Sequence, residues 1–475
     1  MQRRKFIRNS AMLGGLLMVK PYDVFANTAV GYEFPVVRTI KAKRNFQSES
    51  IEKAISEFTK NVKDKELAWL FNNCFPNTLD TTVTFSMKNG RPDTYVITGD
   101  IDAMWLRDSS AQVWPYLAFA AKDNQLKDLI AGVINRQAQY ILKDPYANAF
   151  YNDAGKKGEW TTDVTDMKPG VHERKYEIDS LCYPIRLAYN YWKTTGDTAP
   201  FNDEWKKSIE AILKVFKEQQ QKTGRGPYHF QRETAKATDT RALEGYGYPV
   251  NPVGLICSAF RPSDDATVFS FLIPSNFFAA VSLRQASEMV RQIKKDIALS
   301  DALSALGNEV DKALKEHAVV KHPMHGNIYA FEIDGFGNHL LMDDANVPSL
   351  LSLPYLDAIH SNDPVYQNTR NFVWSKENPF FFKGSAAEGI GGPHVGMDMI
   401  WPMSITMKAL TSTNKQEIKD CIRMLKTTHG NTGFMHESFH KDNPENFSRP
   451  WFAWSNTLFG ELLWHTYKNH PELLA

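Results

Sequence analysis

Four stretches of the chain combine residue types able to do chemistry. In Thr98–Ser109, the ionisable groups Asp100, Asp102, Arg107 and Asp108 are interleaved with Ile101, Met104, Trp105 and Leu106. Carboxylates and a guanidinium beside an indole need one another, or a polar ligand, to offset desolvation. A sugar is such a ligand, since its hydroxyls bond to Asp and Arg while its C–H face packs on Trp. A buried ion-pair network at a helix start, capped by Asp108 or Ser109, would use the same residues.

The second stretch is Phe260-Arg261-Pro262-Ser263-Asp264-Asp265-Ala266. One of the two adjacent carboxylates can pair with Arg261 and stay ionised, leaving the other with the raised pKa of a general acid. A helix start, with Ser263 as cap and both acids on the dipole, fits equally well. The third is the glycine-rich run Gly384–Gly396, where tight backbone can approach a ligand and His394 can donate to a hydroxyl or serve structurally. It lacks the spacing of a phosphate loop. In the fourth, Gly433–Phe439 leads into Arg449–Asn456. There Glu437 sits beside His436, among aromatics that include Trp451, with nothing local to neutralise it. It is the candidate base for activating water, although spacing alone also fits an ordinary surface Glu. Asp343-Asp344 and the run Glu173–Ser180 are polar clusters read first as helix caps. No HExxH or EF-hand spacing occurs, and His172, His394 and His436 are far apart, so no metal or cofactor is expected, a calcium site on loop carboxylates being the one left open.

These groups need a scaffold. Apolar residues recur at helical spacing in segments beginning near Ile51, Gln112, Ile178, Trp205, Asn276, Ile297, Val347, Val365, Met397, Ile418 and Trp454. Gly196 is placed to stop one helix, and Asn414-Lys415-Gln416-Glu417 resembles a capping box. Short hairpins are expected near Val83–Phe85, Tyr95–Ile97 and Asn327–Ala330. Roughly twelve helices with few strands suggest an all-α (α/α)6 toroid, six inner helices wrapped by six outer ones, with long functional loops on one rim. Periodicity alone leaves an irregular all-α domain open.

The 475 residues carry a formal net charge of +1, which creates no field for nucleic acid or an anionic membrane. Cys74, Cys182, Cys257 and Cys421 lack a CxxC spacing. Arg3-Arg4-Lys5, the apolar run Ala11–Val19 and Val24-Phe25-Ala26 read as a twin-arginine export signal over residues 1–26. Residues 27–47 then form an extended leader, and 48–475 a single catalytic domain. After signal removal a periplasmic monomer, without membrane attachment, is expected.

Thr98–Ser110, Phe260–Asn276, Glu388–His394, and Phe434–Phe439 with Arg449–Ser455 resemble the corresponding segments of glycoside hydrolase family 125, the exo-α-1,6-mannosidases. The resemblance spans nearly the whole mature chain. It implies the (α/α)6 barrel, inversion at the anomeric carbon and no essential metal. It also implies an acid from the Ser-Asp-Asp segment, Asp264 with Asp265 as the alternative, and Glu437 as base. Asp102, Arg107, Asp108 and His394 would then hold the terminal mannose, with Arg261 and His436 nearby and Trp105 or Trp451 forming the wall. An inverting pair should leave room for one water, about 6.5–9.5 Å between carboxyls. An α-glucosidase or trehalase-like toroid and a non-catalytic sugar-binding protein are the alternatives.

Overall fold

A computed structural model describes residues 34–475; residues 1–26, expected from the sequence to be an export signal, lie outside the described residues. Two kinds of helix alternate along the chain. The first kind is apolar on one face only. Among these, α1 (Glu49–Asn61) buries Ile51, Ala54, Ile55 and Phe58 and points its charges outward, and α2 (Lys65–Cys74) follows it. The second kind is buried on nearly every face, as in α3 (Leu106–Val113), whose eight residues are all buried although five of them are polar. A one-sided helix covers a core and an all-round one sits inside it, so the alternation dictates two concentric layers.

Outer α4 (Asn124–Lys143) precedes inner α5 (Ile178–Thr195), which is buried from Ile178 to Ala188 and ended by Gly196 in the left-handed region at φ 69°. Outer α6 (Asp203–Gln219) precedes inner α7 (Ile273–Met289), and outer α8 (Ile297–His317) follows. After α9 (Pro364–Val373) come inner α10 (Pro402–Leu410), outer α11 (Lys415–Thr427) and inner α12 (Ala453–Asn469). The inner helices pack side by side in the order α12–α3–α5–α7, with α10 against α12.

The sixth inner position is not a helix. The expected helix over Val347–Ile359 is instead a run of turns. Pro348 and Pro354 lack the N–H a helix needs. The Asp343 carboxylate takes the N–H groups of Leu350 and Leu351, and Ser349 and Ser352 bond to each other's backbone. Side chains around the ring hold this segment. Tyr183 Oη donates to the Val347 carbonyl at 2.9 Å, Arg186 to the Tyr355 carbonyl at 3.1 Å, and Tyr366 Oη to the Leu351 carbonyl at 2.8 Å.

Small antiparallel pairs trim the rims, including the hairpin of Val83–Lys88 with Arg91–Val96 and the pairing of Val319–His322 with Gly326–Tyr329. Of the expected leader, residues from Val37 onward belong to the domain. Arg38 is buried, with Nε 2.7 Å from Asp80 and Nη2 2.5 Å from Glu52. No helix among the described residues is long and apolar enough to cross a membrane.

Candidate active site

A cavity of about 330 Å³ opens where the N-terminal ends of the inner elements converge. Its lining includes Arg107 and Asp108 at the start of α3, Asp264 ahead of α7, and Asn346 ahead of the turn segment. Trp401 before α10, Glu437 in the loop before α12, and Trp454 in the first turn of α12 also line it. Helix N-termini carry partial positive charge, so carboxylates gather there at reduced cost.

Arg107 is the hub of the floor. Its Nη1 lies 2.5 Å from Glu177 and 3.2 Å from Asp179, its Nη2 3.3 Å from Asp264, and its Nε 3.5 Å from Asp108. One guanidinium facing four carboxylates leaves an excess of buried negative charge. Burial pushes the Asp108 carboxyl up to about 6 against the pull of Arg107. Asp108 Oδ2 is buried with no hydrogen-bond partner among the described residues.

Asp264 stands at the tip of a loop closed by the pairing of Phe260 with Ala266. Its backbone is in the left-handed region at φ 64°, a conformation Asp tolerates better than most residues. Asn148 Nδ2 donates to its Oδ1 at 3.3 Å, and Lys175 Nζ donates to its carbonyl at 2.9 Å. Burial pushes the Asp264 carboxyl up, but Arg107, Lys175, the neighbouring Glu177 and His394 together outweigh it and hold the group below the usual range. Asp265 turns the other way. Its Oδ1 lies 3.5 Å from His394 Nδ1 and 3.6 Å from Lys236 Nζ, and it does not line the cavity. Burial lowers the His394 pKa, but Asp265 outweighs it and raises the imidazole above its ordinary value. Lys236 also donates to the His394 carbonyl at 2.8 Å, tying the glycine-rich loop to the loop after Arg232.

Glu437 is buried but for 7% of its side chain, and that edge lines the cavity. Ser448 Oγ donates to its Oε2 at 2.8 Å, and Arg449 Nη1 lies 3.4 Å from its Oε1. Trp105 adds an apolar wall with its Nε1 unpartnered among the described residues. Across the cavity, Trp160 stacks on the Arg232 guanidinium, 3.7 Å from ring centroid to Cζ.

Several expected placements differ. Asp102 lies outside the cavity, with 76% of its side chain exposed and its nearest charge Lys156 at 3.7 Å. Arg261 pairs with neither neighbouring Asp side chain; it is buried against Glu332 at 2.6 Å. His436 sits behind Glu437, stacked on Phe447 at 3.7 Å, its Nδ1 donating to the Pro450 carbonyl. Burial pushes it down to about 4, so the ring is neutral at physiological pH. Trp451 is half-buried and does not line the cavity; its carbonyl accepts from Asp100 N–H. Ser263 caps no helix, because α7 starts only at Ile273; its hydroxyl donates to Asp344 at 2.7 Å.

Glu177, Lys175 and Arg449 were not singled out by spacing. Glu177 and Lys175 fall in the Glu173–Ser180 cluster read as a cap, where the density of charge ahead of an apolar helix was the available signal. Arg232, Lys236 and Asp239 carry no local signal, since only the fold brings them to the cavity.

The model of the metal-independent α-mannosidases, glycoside hydrolase family 125, matches residues 64–464. The Schizosaccharomyces pombe meiotically up-regulated gene 157 protein is 42% identical over 461 residues, covering 93% of this chain and 90% of that protein. A solved Streptococcus pneumoniae structure is 41% identical with a TM-score of 0.86, covering 90% of this chain and 100% of that one. It is described among metal-independent α-mannosidases, as a non-productive complex with α-1,6-mannobiose. A bacterial glucoamylase bound to acarbose shares the fold alone, at 12% identity and TM-score 0.52 over 78% of this chain and 50% of that one. An (α/α)6 ring with a carboxylate-rich cavity at its inner N-termini, matched over this length, places the chain in glycoside hydrolase family 125, the metal-independent α-mannosidases.

Proposed function

We propose that the protein is an exo-acting, inverting α-1,6-mannosidase, with Asp264 as the acid side of the site and Glu437 as the base. The observation that carries this reading is that two carboxylates 173 positions apart in sequence line one small cavity. Inverting hydrolysis needs one carboxylic acid to protonate the leaving oxygen and one carboxylate to take a proton from the attacking water. Glu437 suits the second role because Ser448 and Arg449 fix its carboxylate at the cavity wall. Asp108 and Arg107 would bond hydroxyls of the terminal sugar, and Trp105 would pack against its ring. The mannobiose held by the Streptococcus pneumoniae relative supports the 1,6 linkage as the substrate class. The Arg3-Arg4 signal supports an exported enzyme.

The test is hydrolysis of α-1,6-mannobiose followed by NMR of the newly formed anomer, with maltose and trehalose in parallel. First-formed β-mannose from mannobiose alone is the expected result. First-formed α-mannose overturns inversion, and turnover of maltose or trehalose instead of mannobiose overturns the substrate.

A further inference from the structure

Asp264 presents a difficulty as an acid. Facing Arg107 and Lys175, it is held as an anion, and an anion has no proton to give. The residue behind it resolves this. Glu177, the residue preceding α5, has a side chain with no exposure and does not line the cavity. Its Oε2 accepts from Arg107 Nη1 at 2.5 Å and from Ser180 Oγ at 2.7 Å. Its Oε1 is buried without a hydrogen-bond partner among the described residues, and the guanidinium that bonds its Oε2 through Nη1 bonds Asp264 Oδ1 through Nη2 at 3.3 Å, so the two carboxyls stand side by side on Arg107. Burial pushes the Glu177 carboxyl well up, and the neighbouring Asp264 and Asp179 add to this, while Arg107 opposes it.

The charged groups around the two are Arg107 and Asp108 from α3, Asp179 from α5, Lys175 from the strand-to-helix turn, and His394 from the glycine-rich loop. Asp108, Glu177, Asp179 and Asp264 meet Arg107 and Lys175, so the cluster carries more carboxylates than cations. Two carboxyls that share one guanidinium, in a cluster with more acids than cations, titrate as a unit and retain one proton between them.

We infer that Glu177 is a positioning residue for the leaving-group proton: with Asp264 it forms a two-carboxyl pair that holds one proton, and the pair sets the acid strength of the site. This rests on the reading of Asp264 as the acid. In the empty cavity the proton resides on Glu177. When a glycosidic oxygen enters, it resides on the cavity-facing oxygen of Asp264, and Glu177 is the anion held by Arg107 and Ser180. During cleavage the Asp264 O–H bond breaks and its proton goes to the glycosidic oxygen, which also takes the electron pair of the breaking C–O bond. The attacking water gives its oxygen to the anomeric carbon and a proton to Glu437. Glu437 then releases that proton to solvent, and the pair regains one from solvent.

The experiment compares pH profiles of kcat/KM on α-1,6-mannobiose. Loss of the acid's proton sets the basic limb. With Glu177→Gln, Asp264 faces Arg107 and Lys175 without a companion carboxyl, so the basic limb moves down by about one pH unit or more. Ser180→Ala removes a donor to the Glu177 anion, so the pair holds its proton more tightly and the limb moves up. This second variant keeps the test open if Glu177→Gln does not fold. An unmoved basic limb in the folded variants overturns the inference. Asp264→Asn separates the two readings. It should lose about 10²–10⁴-fold on mannobiose and far less on 2,4-dinitrophenyl α-mannoside, whose leaving group needs no proton. Retention of mannobiose hydrolysis by Asp264→Asn overturns the acid reading itself.

Discussion

Arg449 holds Glu437 and Asp100 together: its Nη1 lies 3.4 Å from Glu437 Oε1, while Nε and Nη2 bond Asp100 Oδ1 at 2.9 and 2.6 Å. One guanidinium thus joins the first motif of the chain to the last, and it braces the carboxylate proposed as base. Glu437→Gln keeps the shape and both neighbours but cannot accept the proton of water. Activity on α-1,6-mannobiose should fall about 10²–10⁴-fold, with sugar binding measured by calorimetry retained. Normal turnover by this variant would remove Glu437 from the mechanism.

Asp102 and Asp108 lie six residues apart and have opposite fates. Asp102→Ala removes an exposed side chain and should leave kcat/KM within about twofold of wild type. Asp108→Ala removes a buried acceptor from the cavity wall and should lower kcat/KM about 10–100-fold, the worth of one hydrogen bond to a charged group. Steady-state kinetics on the two variants side by side distinguishes them. Equal losses would mean that Asp102 reaches the substrate.

Gly99 pairs with Phe452 and sits at φ 131°, where a side chain is strained. A Cβ there would stand 2.2 Å from the Trp451 carbonyl oxygen. Gly99→Ala should cost about 2 kcal/mol or more in chemical denaturation. It should also reduce activity, because the same strand carries Asp100 to Arg449. A variant of unchanged stability would show that this contact is easily relaxed.

Stability should also report on the far end of the ring. Glu461 accepts from Trp114 Nε1 and Tyr355 Oη, and burial pushes its carboxyl up to about 7 against the pull of Arg186. A carboxyl raised on folding stabilises the native state in its protonated form. That contribution is complete below the unfolded value of about 4.5 and is lost as pH rises through about 7. Asp108 has the same sign, and so does Asp343, which burial pushes up to about 8. His436, lowered by burial, acts in the opposite sense, so the difference between proteins is the readout: Glu461→Gln should make the melting temperature fall less, or rise more, from pH 5 to pH 8 than in wild type. Parallel slopes in the two proteins would place the titration elsewhere.

Much of the scaffold was legible because helix faces and stops are local. Ile418, Cys421, Ile422 and Leu425 line one face of α11, and Asn414 caps it by accepting from Gln416 and Glu417 N–H. Asp123 caps α4 where a break was expected. The segment 347–359 misled because its apolar spacing fits a helix, while competing side-chain bonds and two prolines decide otherwise. At the site, the Asp264-Asp265 pair and Glu437 were candidates from their neighbours, and Asp264 was preferred over Asp265 only through the family resemblance. Glu177 was not a candidate, since its partner Arg107 is 70 positions away. Asp102 misled for the opposite reason: its neighbours in sequence enter the wall, while it faces solvent.

The convergence of inner helix starts on one cavity carries an electrostatic consequence. Five helix starts each add a partial positive charge to the bottom of the vessel, a poor surrounding for the cationic sugar that forms as a glycosidic bond breaks. The surplus acids beneath it supply the counter-charge, so the abundance of carboxylates exceeds what proton transfer requires because the architecture itself must first be neutralised.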